Sequence, residues 1–288
     1  MHPDSRSAPI VAGKPDPAVV ARDVSRALAE DIGEGDVSAE LVAADARGQA
    51  RVLAREALVL AGRAWFDQCF LALDASARID WLFPEGARIA ANEILCTVDA
   101  KARALLSAER SALNFLQTLS GTATTTAAYA ALVTGTGTRI LDTRKTLPGL
   151  RYAQKYAVKV GGGENHRIGL YDAVLIKENH IAAAGGIALA VARARQTAPG
   201  LLVEIEVESL DEYRLALAAK PDRIMLDELS DADLKVAVAM RSAGLQLEVS
   251  GGVDSERLKV LAHIGVDYVS IGALTKHLQA IDLSLRWV

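Results

Sequence analysis

The 288-residue sequence predicts an α/β protein: a small α/β or open-sheet domain over about the first hundred residues, then a barrel of repeated βα units. Three observations predict it. Aromatics make up 5% of the residues while Ala, Val, Leu and Ile supply most of the apolar mass, which suits layered α/β packing better than a β-sandwich. From Arg139 onward, short, continuously apolar runs alternate with helix-period segments, the pattern of parallel strands covered on both faces. The polar residues closing the later strands, Lys177, Glu206, Asp227, Ser250 and Gly272, are 29, 21, 23 and 22 residues apart, the spacing of βα units that close as a barrel. A doubly wound open sheet shares the alternation and is the alternative on pattern alone.

Residues 1–20 are rich in Pro, Ala and charge and read as a loose peripheral tail. Strand-like runs follow at 50–53, 57–61, 78–81 and 94–98, separated by turns such as Pro84-Glu85-Gly86 and interrupted by a helical stretch at 64–73. Residues 102–119 carry Leu106, Leu113 and Leu116 at helical spacing; Ser120-Gly121 is expected to end that helix, and a second is expected over 122–133. Arg110, Asn114 and Gln117 share a polar stripe, whereas Glu109 falls between Leu105 and Leu113 on an apolar face. Later strands are expected at 140–141, 173–176, 202–207, 224–226, 245–249 and 268–271, and helices at 187–197, 210–219, 231–243 and 255–264.

The formal net charge of −4 argues against a general nucleic-acid role. Yet the segment from Arg139 to His180 holds eight basic and four acidic residues, a positive island that suits an anionic ligand. Cys69 and Cys96 lie in apolar surroundings with no further ligand residue at metal spacing, and read as buried free thiols. The N-terminus has no apolar signal core and no apolar run approaches the ~18 residues of a membrane span, so a reducing cytoplasm is expected. Neither Gly-x-Gly-x-x-Gly nor Gly-x-x-x-x-Gly-Lys-[Ser/Thr] occurs, which disfavours dinucleotide and nucleoside-triphosphate folds.

In a barrel of βα units the C-terminal strand ends form the functional face. In order they read Asp142-Thr143-Arg144-Lys145-Thr146, the loop Gly161-Gly162-Gly163-Glu164-Asn165-His166-Arg167, and Lys177-Glu178-Asn179-His180. A lysine closing an otherwise apolar strand is costly to desolvate unless an anion or carboxylate meets it. Glu204, Glu206 and Glu208 alternate along one strand and face one side, and the next strand ends in Asp227-Glu228. Glu206 and Asp227 are candidate oxygen ligands for a hydrated Mg²⁺. Ser250-Gly251-Gly252 and Ser270-Ile271-Gly272 are small, so backbone N–H groups there can approach a phosphate. Singly, each feature has a bland counterpart: a Gly-Gly-Gly run is usually a flexible loop, and a lone histidine a hydrogen-bonded structural one. Together they sort by strand order, cations first, carboxylates next, small residues last, which a solvated face does not do.

These segments resemble a known family. Glu109 to Gln117 with Ser120-Gly121, Asp142 to Arg151, Lys155-Tyr156-Ala157-Val158, Gly161 to Arg167 and Lys177 to His180 are similar, in order, to the characteristic segments of quinolinate phosphoribosyltransferases. The resemblance covers nearly the whole chain. It implies a C-terminal barrel-like α/β domain with an N-terminal open α/β sandwich domain: 1–115, joined by 276–288, and 116–275. It also implies a homodimer with shared active sites, the N-terminal region of one subunit covering the barrel of the other; a higher assembly of dimers is compatible with it. The implied reaction joins quinolinate to phosphoribosyl pyrophosphate, giving nicotinate mononucleotide, pyrophosphate and CO₂, with Mg²⁺ as cofactor.

Planar guanidinium forks suit carboxylates, so Arg110, Arg144 and Arg167, with Lys177 and His166, form the expected quinolinate cage. The resemblance places Lys145 on the sugar phosphates, Mg²⁺–pyrophosphate near Glu206 and Asp227, and the 5′-phosphate near Ser250, Gly251, Gly252, Ser270 and Gly272. Lys145, Lys177, Glu206 and Asp227 form the expected catalytic set. Two positions depart from the family pattern: Glu228 stands where Asn is usual, and Glu178 where Asp is frequent. Within the fold, the rivals are a nicotinate-using enzyme and the molybdenum-transport-associated homologue; in another class, a non-catalytic barrel that binds a sugar phosphate. The full cation set favours a dicarboxylate, and a pure phosphate sensor gains nothing from paired carboxylates.

Overall fold

The computed structural model describes residue 10 and residues 12–288. Most of the first half of the expected tail lies outside the described residues. Its second half is shorter than expected, because helix α1 (Pro17–Ile32) already begins there: Asp16 caps it, accepting the Ala18 N–H at 2.8 Å, and Pro17 supplies a preset φ. The chain continues through a 3₁₀ turn (Ala39–Leu41), β1 (Arg47–Ala54), β2 (Leu58–Val59), α2 (Arg63–Leu73), β3 (Arg78–Trp81), β4 (Arg88–Ile89), β5 (Ile94–Lys101) and α3 (Ala102–Leu132). Next come β6 (Arg139–Leu141), α4 (Arg151–Val160), β7 (Ala173–Ile176), α5 (Glu178–Ala184), α6 (Ile187–Thr197), β8 (Leu202–Val207) and α7 (Leu210–Ala219). The remainder is β9 (Arg223–Asp227), α8 (Asp231–Met240), β10 (Gln246–Ser250), α9 (Ser255–Ile264), β11 (Tyr268–Ser270), α10 (Ala273–Lys276) and β12 (Leu283–Trp287). Among the described residues, no helix is long and apolar enough to cross a membrane.

Two compact units result. An antiparallel unit takes the described residues up to Ala127 together with Thr146–Gly162 and Ala273–Val288; a parallel unit takes Ala128–Lys145 and Gly163–Gly272. Residues 146–162, placed in the barrel by the expected 116–275 boundary, thus group with the N-terminal residues. Packing explains it. Helix α4 buries Ala153, Tyr156 and Ala157 there, with the Tyr156 ring 5.3 Å from that of Trp65 and its hydroxyl donating to Glu85 at 2.9 Å.

In the antiparallel unit, four strands run in the order β12-β1-β5-β3. Ala50, Val52 and Ala54 alternate inward from β1, and β12 pairs with the same stretch from Ala50↔Trp287 to Ala54↔Leu283. Helix α2 buries Trp65, Phe66, Cys69 and Phe70. Cys69 and Cys96 are both buried and unpaired; desolvation pushes the Cys69 thiol up to about 12 and Cys96 in the same direction.

Helix α3 runs unbroken through Ser120-Gly121, where the sequence predicted a stop. Ser120 Oγ instead accepts the Ala61 N–H at 3.1 Å, and a Cβ on Gly121 would stand 2.2 Å from the Gln279 carbonyl oxygen. The glycine is there for close backbone approach rather than termination. Gly121→Ala removes a helix penalty of about 1 kcal/mol. It is nevertheless expected to destabilise the protein by a net 1–3 kcal/mol or so, because backbone must move. Urea unfolding checks this: an unchanged or raised midpoint would mean that the segment at 278–279 yields freely.

The parallel unit has one six-stranded sheet, ordered β6-β11-β10-β9-β8-β7, with every ladder parallel. The first strand pairs with the last, so the sheet follows barrel order; a doubly wound sheet would reverse its order part-way. Among the described residues no ladder joins β6 to β7, and the barrel order stays open at that seam. Three of the later helices carry sequence-coded starts: Ser209, Ser230 and Asp254 accept the N–H groups of Glu212, Asp233 and Arg257 at 3.2, 3.2 and 2.8 Å.

Candidate active site

Register decides which side chains share the inner face of the parallel sheet. Glu206 stands opposite Met225, Glu248 opposite Met225 and Tyr268, Ser250 opposite Asp227, and Ser270 opposite Leu141. Because side chains alternate, Glu204 and Glu206 point the same way on β8, with Glu204 one layer deeper. The strand ends therefore converge as the sequence pattern required.

The deeper layer was not expected. Glu248 is fully buried; Ser270 donates its hydroxyl to it in a short contact, and Arg223 Nη1 donates to its Oε2 at 2.9 Å. Arg223 also lies over the Tyr268 ring, 4.1 Å from its centroid. Burial, and then the charge of Glu204, push Glu248 up to about 7, against the opposing pull of His166, Ser270 and Arg223. Glu204 is raised as well, burial being the largest cause and Arg223 the main opposing charge. The available signal was a charged residue on the same face as the strand end, two positions before it in Gln246-Leu-Glu248-Val-Ser250 and four before it in Arg223-Ile-Met-Leu-Asp227.

The cation-bearing loop is tied to β6. Asp142 N–H donates to the Glu164 carbonyl at 3.1 Å, and Glu164 N–H to the Ile140 carbonyl at 2.9 Å. The buried Asp142 carboxylate accepts from Asn165 Nδ2 at 2.5 Å and from the His166 N–H at 3.0 Å. Asp172 holds the far end, accepting the Ile168 and Gly169 N–H groups at 2.7 and 2.9 Å. Two residues of the cage meet here: burial, then the charge of Arg144, lower the pKa of the Arg167 guanidinium. Two cations close enough to oppose each other, partly withdrawn from water, suit a ligand of high negative charge. His166 sits among them, but its Nδ1 accepts the Arg167 N–H at 2.8 Å and its Nε2 lies 2.8 Å from Glu204 Oε2. Expected to touch substrate, it stands within the group of cage residues with its Nε2 edge toward the acids of the inner face.

The glycine run serves packing in part. A Cβ on Gly161 would come within 2.4 Å of the Ala123 carbonyl oxygen.

Cations and acids meet at Lys177, whose Nζ is 2.5 Å from Glu206 Oε2. Carboxylate oxygens of Glu206, Glu208 and Asp227 lie within 4.8 Å of one another, which adds Glu208 to the expected pair. Desolvation and the negative charges of Glu212, Glu228, Asp227 and Glu178 raise Glu208 above the usual carboxylate range. Glu228 has φ +56°, a left-handed conformation that Asn takes more readily than Glu, which gives a backbone reason for the family's usual Asn.

The small residues make room. A Cβ on Gly272 would be 3.1 Å from Lys145 Cδ, so Lys145 lies close across this glycine. Gly251 and Gly252 have φ of +99° and +54°, and a Cβ on Gly251 would be 2.9 Å from Asp227 Oδ1. Arg110, by contrast, belongs to the antiparallel unit. It is exposed on α3 and lines a cleft of about 360 Å³ with Asp23, Arg26, Glu30, Asp31 and Asn114.

Known proteins share this sequence pattern and fold. Residues 36–120 match the N-terminal domain, and residues 122–286 the C-terminal domain, of quinolinate phosphoribosyl transferase. The nicotinate-nucleotide pyrophosphorylase [carboxylating] of Mycobacterium leprae is 43% identical over 276 residues, covering 92% of this chain and 96% of its own. A quinolinate phosphoribosyltransferase [decarboxylating] of Nicotiana tabacum is 38% identical over 284 residues, covering 91% and 81%. The structure of the nicotinate-nucleotide pyrophosphorylase from Francisella tularensis superposes with a TM-score of 0.93 at 45% identity, over 98% of this chain and 100% of that one. Both family domains are present, in order, and together they span most of the sequence: the chain belongs to the quinolinate phosphoribosyltransferase family.

Proposed function

We propose that this protein is the pentosyltransferase that joins quinolinate to phosphoribosyl pyrophosphate, forming nicotinate mononucleotide, pyrophosphate and CO₂ in de novo NAD biosynthesis. The observation that carries this reading is the approach of Arg144 to Arg167 in a partly desolvated site, a pairing that an adjacent dicarboxylate would neutralise. Arg144 and Arg167 grip the two carboxylates, and Lys177 adds a third charge at the border with the acids. Lys145 and the glycine turns at 251–252 and 272 serve the sugar phosphates, with Ser250 and Ser270 beside them.

The ring nitrogen forms a bond to the anomeric carbon as the bond to the pyrophosphate oxygen breaks, its electron pair leaving with pyrophosphate. The ring is then a pyridinium. When the bond from C2 to its carboxylate breaks, CO₂ departs, the pair remains on C2 beside the positive nitrogen, and a proton takes its place. The protein's part is to position and neutralise charge. Glu206, Glu208 and Asp227 fit Mg²⁺: three hard oxygen donors converge where, alone, they repel one another. The ion, when bound, neutralises charge on the departing pyrophosphate.

Arg110 completes the cage of a second copy, so the protein works as a homodimer with shared active sites. Two buried thiols suit a reducing compartment, and we place the enzyme in the cytoplasm. The test is steady-state CO₂ release with quinolinate, the sugar pyrophosphate and Mg²⁺, set against turnover of nicotinate. Nicotinate is expected to be at least about a hundredfold poorer, since one missing carboxylate leaves cations unpaired. Comparable efficiency with both acids would sink the reading.

A further inference from the structure

We infer that Glu228 is an affinity-setting charge for the ion held by Glu206, Glu208 and Asp227: it is not a ligand, and it tightens a divalent cation through space from a backbone position that disfavours it. The inference deepens the Mg²⁺ reading above and rests on it. Strand β9 stops at Asp227, and α8 starts at Asp231 behind its cap Ser230, so Glu228 opens a short turn. It takes that turn at φ +56°. The corresponding turn after β10 obtains its positive φ from Gly251 and Gly252. Glycine, asparagine or aspartate adopts this conformation at less cost than glutamate does. Nor does the helix that follows ask for a further acid. Ser230 caps it, and Asp231 and Asp233 already supply negative charge in its first turn.

The neighbouring acids give the glutamate its reason. Its side chain is exposed, and among the described residues no ion pair engages it. Desolvation, then the charges of Glu212, Glu228, Asp227 and Glu178 in that order, act on Glu208. Glu228 therefore acts on Glu208 ahead of Asp227, which has a carboxylate oxygen within 4.8 Å of one of Glu208. Two of the other acids have local tasks. Glu212 Oε2 accepts the Glu208 N–H at 2.9 Å, and Glu178 Oε1 accepts from Asn179 Nδ2 at 2.8 Å. Glu228 has no such task, and its contribution is charge. Without an ion that charge repels its neighbours; with a divalent ion among them it attracts. A unit charge about 7 Å from a divalent ion in water is worth a factor of roughly three to ten at low salt.

Two measurements test this. The first is Mn²⁺ binding to the full chain, followed by loss of the free-ion spin-resonance signal and by competition with Mg²⁺, with Asp227→Asn identifying the site. Glu228→Gln is expected to bind as many ions as the wild type, but roughly three- to tenfold more weakly at low ionic strength. The two affinities should come within about twofold of each other at about 0.5 M salt, because salt screens an exposed charge far more than it weakens a ligand. Equal affinities at low salt overturn the inference. So does a loss that salt leaves unchanged, the mark of a direct ligand, and so does a change in the number of ions bound. Wild-type Mn²⁺ binding that Asp227→Asn leaves intact would instead defeat the Mg²⁺ reading, and this inference with it. The second measurement needs no ion. In EDTA, Glu228→Asn relieves both the backbone and the repulsion, and is expected to melt roughly 1–4 °C above the wild type. An unchanged or lower melting temperature would show that Glu228 supports the fold, and would overturn the inference on its own.

Discussion

Lys177→Ala and Arg144→Ala are each expected to lower kcat/KM for quinolinate by roughly a hundred- to a thousandfold while the protein stays folded. On the proposed function both side chains serve a ligand more than they serve packing. The Lys177 side chain is 44% exposed but that of Glu206 is only 8% exposed, so removing the lysine leaves a largely buried carboxylate without it and costs roughly 1–3 kcal/mol. The sign of that effect follows from the acids around it. Without Lys177, Glu206 is left beside Glu208 and Asp227, so a loss of stability is expected rather than a gain. Steady-state kinetics on both substrates, with thermal melts of the same preparations, check the claim. A collapsed melting curve with full activity per folded molecule would reassign these residues to the scaffold.

An Arg110→Ala chain and a Lys177→Ala chain, each nearly inactive, should regain activity when unfolded and refolded together. Arg110 sits on the antiparallel unit and Lys177 on the parallel one, so a site built from two copies takes one residue from each chain. In a mixed dimer one site then receives both defects and the other neither. Random association makes half of the dimers mixed, so about a quarter of wild-type activity should return, from two-fold symmetry alone. If Arg110 instead acts within its own chain, every site carries one defect. No recovery in dimers verified as mixed would mean that sites are not shared.

Much of the parallel unit was legible because its strands are continuously apolar and its helices announce their starts with Ser209, Ser230 and Asp254. The strand ends were legible for the same reason: parallel order brings them to one side, so reading residues 142–145, 177, 206 and 227 in sequence amounts to reading one surface. What was hidden depends on neighbours distant in sequence. Ser120-Gly121 looks like a helix stop until the backbone at Gln279 is known to pass over it. The stretch read as a tail, 1–20, reaches only into the first turn of helix α1, and the helix itself was hidden because its apolar stripe, Val20, Val24 and Leu28, is diluted by charge, although Asp16-Pro17 marks its start. The buried layer of Glu204, Arg223 and Glu248 could not be read from one strand, since each charge is tolerable only through partners on others. At the site itself, the tie between His166 Nδ1 and the Arg167 N–H could not be read from the sequence either.

The pairing of β1 with β12 sets a timetable for biosynthesis. Residues 47–54 leave the ribosome early, yet their partner at 283–287 follows only after the entire parallel unit has been made. Until then β1, eight residues long and already able to pair with β5 on one side, offers an open row of N–H and C=O groups on the other. Nascent chains are therefore most prone to associate with one another in that interval, when concentration and translation rate matter more than final stability. A chain cut between Gly272 and Leu283 would keep the parallel sheet whole and remain in that vulnerable state permanently, so the strand that finishes the antiparallel sheet also protects the protein from its own copies.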